Sequence, residues 1–128
     1  MIAILCGLES EAAALRGALP RGVAIAVAGA RPERALALAR ALLDAGATAL
    51  LSVGVAGALD PDLRPGDLLA PAAVRYGPLR LEADAALVAA LAERCGARVV
   101  EAVAGVDAMA ATPADKALLR AATGRRTA

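Results

Sequence analysis

Ala49-Leu50-Leu51-Ser52-Val53-Gly54-Val55-Ala56-Gly57-Ala58-Leu59-Asp60-Pro61-Asp62-Leu63-Arg64-Pro65-Gly66-Asp67-Leu68-Leu69 begins as an apolar run and then breaks into glycine, proline and aspartate. A short apolar run closed by glycine reads as a strand buried on both faces, so Ala49–Val53 is a strand and Gly54–Gly66 its loop. The small residues Gly54, Val55, Ala56 and Gly57 let backbone amides come close to a ligand. The loop is not a phosphate-cradling P-loop, because no Gly-Lys-Ser/Thr follows. Nor is it a dinucleotide fingerprint, because its spacing is GxxG and no helix is clearly opened. By itself, a structural turn explains the glycines equally well.

Toward the N-terminus, Ile2–Cys6 and Val23–Val27 are two further apolar runs, closed by Gly7 and Gly29. Between them Ser10 can cap a helix to about Ala18, followed by a turn at Leu19–Gly22. Pro32 suits the first turn of a second helix that runs to Ala45 and stops at Gly46. Toward the C-terminus, Asp67–Ala70 and Ala73–Tyr76 read as short strands separated by Pro71. Asp84 caps a helix with Leu87, Leu91 and Ala92 on its apolar face, ending before Gly96. Arg98–Ala104 reads as one more strand, and Thr112-Pro113-Ala114-Asp115 starts a last helix that ends near Gly124. Strands alternating with helices predict an α/β fold: a mixed, largely parallel central sheet flanked by helices. The chain's 128 residues fit one domain, expected over 1–124 with 125–128 as a frayed tail. No strand follows the last helix, so the sheet is expected to be incomplete at the C-terminal end.

Composition narrows the chemistry. There is no histidine, which excludes Ser-His-Asp triads and histidine metal ligands within these residues. Cys6 and Cys95 lie far apart with no CxxC spacing, and read as two buried free thiols of a reducing, cytoplasmic compartment. Tyr76 is the only aromatic residue, so the core must be built from Ala, Val and Leu. The net charge is +1 with acids and bases interspersed, which argues against a nucleic-acid or membrane-surface partner. The N-terminus lacks the basic region of a signal peptide, and no apolar run reaches the ~20 residues of a membrane span. No metal and no cofactor are expected.

In open parallel sheets ligands sit beyond the carboxyl ends of the strands, so the loops there are the candidates. Gly7-Leu8-Glu9-Ser10-Glu11 offers a carboxylate that can act as general base, or that simply favours a helix N-terminus. Gly29-Ala30-Arg31-Pro32 combines free helix N–H groups with a guanidinium, which suits phosphate or a ribose hydroxyl; a capped helix with solvated arginines explains it too. Gly105-Val106-Asp107-Ala108-Met109-Ala110 places a polarizable thioether where it can cover a flat apolar ligand or fill the core.

Taken in order, these segments resemble the purine-nucleoside and uridine phosphorylase family, nearest to its methylthioadenosine/S-adenosylhomocysteine nucleosidase branch. The stretch Gly54–Leu69 resembles the family's G-[ST]-[AC]-G-x-L followed by P-x-L-x-x-G-D and an apolar pair. The resemblance implies cleavage of the N-glycosidic bond of a purine nucleoside by water or phosphate. By match, Glu11 is the carboxylate that activates water, and Val55, Ala56 and Gly57 line the nucleophile and ribose side. Met109 and Ala110 fall in the purine-sandwiching segment, and Gly29 and Arg31 are the phosphate contacts if phosphate is used. Val55 stands where the family has Ser or Thr, and no hairpin separates the first helix from Val23. The family's ribose-binding Met-Glu segment and purine-protonating Asp would fall beyond Ala128. That leaves a truncated, inactive member with weak purine binding as the alternative to an enzyme. The compressed N-terminal region and the Gly29–Ala35 turn resemble the hopanoid-associated phosphorylases, which implies adenosylhopane as a substrate. A homodimer or larger homo-oligomer is expected, because an unfinished sheet edge invites pairing.

Overall fold

Ile2–Cys6 forms β1, the centre of a three-stranded parallel sheet in the computed structural model, which describes residues 1–106 and 110–123. Its neighbours are β2 (Ala24–Val27) and β3 (Ala49–Ser52), giving the order β2-β1-β3 with Leu5 level with Ala26 and Ser52. The helix α1 (Glu9–Arg16) links β1 to β2, and α2 (Pro32–Asp44) links β2 back across β1 to β3. Because the two crossovers run in opposite directions from β1, the strand order reverses there. Such a reversal opens a crevice at the carboxyl ends of the strands. Ile4, Cys6 and Ala12 form the core of this unit, with Leu15, Leu19, Val23, Ile25, Val27, Leu51 and Val53 packed around them.

This first compact unit comprises Met1–Val55, and a second begins at Ala56. In the second, β4 (Leu69–Pro71) pairs in parallel with β7 (Arg98–Val100). A separate ladder joins β6 (Leu79–Glu82), β5 (Ala73–Tyr76) and β8 (Val103–Ala104) in the order β6-β5-β8. β5–β6 is antiparallel and β5–β8 is parallel. The helices are α3 (Ala85–Cys95) and α4 (Pro113–Thr123). The α/β, largely parallel class is therefore as expected. The deepest positions are small: Ala3, Ala12, Ala70, Ala73 and Ala102 are buried, and among the described residues the largest fully buried side chain is Cys6.

The structure departs from these expectations at several places. Ser10 lies inside α1, and the N-cap is Leu8, whose side chain makes no capping bond. The Glu11 carboxylate does that work instead. Arg98–Ala104 is two strands, because Glu101 turns the chain between β7 and β8 and sends it from one ladder to another. Pro71 belongs to β4, level with Val100, and the next free N–H, that of Ala72, donates to Val100 O at 2.9 Å. The second arm of the β5–β6 hairpin was not anticipated, although Gly77-Pro78 joins it to β5 with Gly77 at φ +54°. Cys6 is buried but Cys95, at the end of α3, is exposed.

At α3 the structure has both expected ends. Asp84 Oδ1 accepts from the Leu87 N–H at 3.0 Å, and Gly96 closes the helix at φ +67°. Asp84→Ala is expected to lower stability by about 1 kcal/mol, and Asp84→Asn by much less, since both Asp and Asn accept at an N-cap. Urea unfolding followed by circular dichroism measures both. Equal losses for the two variants would show that the cap is not what Asp84 contributes.

Candidate active site

Glu11 is the third residue of α1, so its side chain reaches back over the helix N-terminus toward the end of β1. Its Oε2 accepts from the N–H groups of Gly7 at 3.0 Å and Leu8 at 2.9 Å. Its Oε1 accepts from the Val55 N–H, 44 residues along the chain, at 2.9 Å. A carboxylate offers about four acceptor positions, and the described residues fill three of them. Hydrogen bonds to the charged form lower a carboxyl pKa, and desolvation opposes them. The Val55 N–H is the largest cause here, with Leu8 and Gly7 adding to it, and the net shift of Glu11 is downward. Glu11 is thus ionised at neutral pH.

Gly54 makes this seat possible. A Cβ on Gly54 would lie 2.7 Å from Glu11 Oε1 and 2.9 Å from its Cδ, closer than real Cβ contacts come. The backbone of Gly54 is therefore a flat wall against which the carboxylate rests. Beside it, β2 ends in Ala28, whose N–H donates to Cys6 O at 2.9 Å. The turn that follows carries Gly29 at φ +67° and Ala30 at φ +56°, and the Ala30 N–H donates to Gly7 O at 2.8 Å. Gly7 thus joins the β2 loop through its carbonyl and the Glu11 carboxylate through its N–H. Glu11 in turn holds the loop after β3. Glu11 therefore ties the loops after β1 and β3 to each other, and the Gly7 carbonyl adds the loop after β2.

The remaining candidates fall less closely together. Arg31 is the N-cap of α2 and pairs with Glu33 at 3.4 Å on the exposed surface. Val55 contributes its backbone, while its side chain is 87% exposed. Ala56 and Gly57 belong to the second unit, where both are exposed. A Cβ on Gly57 would stand 3.8 Å from Lys116 Nζ. Lys116 lines an open groove of ≈ 800 Å³ with Leu59, Asp60, Leu63 and Arg120. Ala110 is half-buried, and Met109 lies outside the described residues. Cys6 sits buried under the loops; burial pushes its thiol pKa up and the nearby Glu11 charge adds to that, which makes it a poor nucleophile. Glu9, the other acid of the same loop, is bonded to Arg16 on the surface and held below the usual carboxylate range by it. Sequence reasoning missed Gly54 as a seat and the Gly7 and Leu8 amides as donors. The spacing of Glu11 three residues after Leu8 was the available signal for the latter.

An ionised carboxylate with an acceptor position left open among the described residues, at a strand's carboxyl end and against a glycine wall, can orient and deprotonate a water molecule. The sequence profile of the Phosphorylase superfamily matches residues 23–126, and the chain belongs to that superfamily. This is the nucleoside phosphorylase and nucleosidase family that the loop sequences resemble. Among solved structures, the chain is similar to a candidate methylthioadenosine nucleosidase from Weissella paramesenteroides ATCC 33313. The TM-score is 0.74 at 22% identity, over 95% of this chain and 70% of that one. No curated protein matches the chain. Among the described residues, no helix is long and apolar enough to cross a membrane.

Proposed function

We propose that the protein cleaves the N-glycosidic bond of a purine nucleoside, with adenine as the leaving base and Glu11 activating the nucleophile. The observation that supports this reading is the Glu11 carboxylate, held by three backbone N–H groups at the switch point of the β2-β1-β3 sheet. In hydrolysis, a water oxygen bonds to the anomeric carbon while the bond to the base nitrogen breaks. Glu11 takes the water proton, and the base leaves with the bonding electron pair and takes a proton from solvent, to which Glu11 later returns its own. The transition state has cationic character at the ribosyl carbon, which a nearby fixed carboxylate stabilises.

Electrostatics favours water over phosphate as the nucleophile. A phosphate dianion next to an ionised Glu11 meets like charge, whereas neutral water does not. The side chain of Val55 supplies no hydroxyl to offset this. One observation supports phosphorolysis instead: the Gly29–Ala30 turn opens onto the N-terminus of the 13-residue α2, where N–H groups without a side-chain cap suit an anion. In that reading phosphate is a co-substrate held at Gly29 and Arg31. A methylthio or larger apolar 5′ substituent, adenosylhopane included, fits the exposed apolar Val55.

The experiment is release of free adenine from adenosine, methylthioadenosine and adenosylhopane, each with and without phosphate. Release without phosphate is the expected result. A strict phosphate requirement would replace hydrolysis by phosphorolysis. Release from none of the three, with purine binding retained, would leave a chain that keeps the fold and binds purine without turnover.

A further inference from the structure

Among the described residues, the β6 strand is a short, exposed edge whose chemistry is self-complementary. In the antiparallel β5–β6 pair, Val74 stands opposite Leu81 and Tyr76 opposite Leu79. Directly opposed residues share a face, so these four apolar side chains cover one side of the ladder. They are exposed: Leu79 by 57%, Leu81 by 60%, Tyr76 by 45% and Val74 by 38%. The other face of β6 carries Arg80 and Glu82, with Arg80 Nε 2.5 Å from Glu82 Oε1 and Arg80 Nη1 3.7 Å from Glu101 Oε1.

Hydrogen-bond direction alternates along an antiparallel strand. The Ala83 N–H donates to Ala72 O at 2.8 Å, so by alternation Leu81 and Leu79 also direct their backbone groups toward β5. Arg80 and Glu82 then direct their N–H and C=O outward, at the strand's free edge. Two copies of β6 can meet antiparallel in two registers that keep apolar facing apolar. Centring the two-fold axis on Arg80 sets Arg80 against Arg80 and aligns Glu82 with Pro78, which has no N–H to donate. Centring it on Leu81 sets each Arg80 against the other copy's Glu82. That register closes four backbone hydrogen bonds and pairs both charges, with Leu81 meeting Leu81 on the apolar side.

We propose that β6 is the interface through which two copies of this chain associate, in the register centred on Leu81. Edge charges usually guard a strand against pairing, and an edge of one sign would repel its own copy. This edge carries one charge of each sign, spaced so that a two-fold axis makes them attract. The joined ladders form one sheet across the axis, and the apolar faces of both hairpins become continuous.

Sedimentation velocity of the full chain tests this. The wild type is expected to dimerise. Arg80→Glu and Glu82→Arg, which each set like charges opposite one another twice, are expected to weaken the dimer by about tenfold or more. Mixing the two variants restores opposite charges at every position and is expected to restore a dimer. Leu81→Cys in a Cys95→Ser background is expected to form a disulfide-linked dimer on mild oxidation. Residues opposed at a non-hydrogen-bonded position lie about 4.5 Å apart at Cα, within disulfide range. Glu82→Cys in the same background is expected to cross-link far less. A monomeric wild type at high concentration would overturn the proposal. So would a dimer indifferent to both charge reversals, or cross-linking at position 82 rather than 81.

Discussion

Gly54→Ala is expected to displace the Glu11 carboxylate and to lower turnover by about 100-fold, the scale associated with misplacing a reacting group by about 1 Å. The added methyl would sit 2.7 Å from Oε1 and 3.1 Å from Oε2, so it meets both oxygens at once. No small rotation clears it, because Oε2 is held by Gly7 and Leu8 while Oε1 is held by Val55. The carboxylate must give up at least one of these bonds. Overpacking of this kind typically costs about 1–3 kcal/mol of stability, so the variant remains foldable at modest temperature. Two readouts separate the effects: thermal unfolding gives the stability loss, and adenine release gives the catalytic loss. Gly17→Ala, at the C-cap of α1, is the control, because its Cβ would meet nothing within 4 Å and its backbone is right-handed. Equal activity of Gly54→Ala and wild type would show that the seat does not position the nucleophile.

How far the sequence disclosed this arrangement depends on the range of the interactions involved. Strands marked by apolar runs and a closing glycine, such as Ile2–Cys6, were legible because burial on both faces leaves a continuous signal. The ends of α3 were legible because Asp84 and Gly96 act within one turn of the chain. The start of α1 was misread for the same reason in reverse. Ser10 has the right chemistry for a cap, but Glu11 supplies a stronger, charged acceptor to the N–H groups of Gly7 and Leu8. β6 was missed because Leu79-Arg80-Leu81-Glu82 is exposed on both sides and too short for alternation to stand out. The Gly54–Glu11 seat could not be read locally at all. It exists only because the order β2-β1-β3 places the loops after β1 and β3 side by side, and pairing order is not written in either loop. The family resemblance named Glu11 and the Gly54–Gly57 loop separately, and the fold supplies the contact between them.

Glu11→Gln is expected to lower the rate of glycosidic cleavage by about 10²–10⁴-fold, the usual contribution of a positioned general base, while purine affinity stays nearly unchanged. A glutamine amide oxygen can still accept from Gly7 and Leu8. Its NH2 then faces the Val55 N–H, donor against donor, and the loop after β3 loses its tie. The Val55 N–H is exposed, so water can take the place of the lost partner, and the cost is the net worth of one hydrogen bond, about 0.5–1.5 kcal/mol, which urea unfolding resolves. The pH dependence has a definite sign. The folded-state pKa of Glu11 is below its unfolded value, near 4.3 for a free glutamate, so its stabilising contribution is fully present above that value. It is lost as pH falls through the lower folded-state pKa, because the proton then competes with the three N–H donors. The stability gap between wild type and Glu11→Gln should therefore be constant near neutrality and should narrow below about pH 4.3. A gap that stays unchanged into acid would mean that Glu11 is not held as the anion. Wild-type turnover in Glu11→Gln would remove it from the chemistry and leave it as the clasp between the loops after β1 and β3.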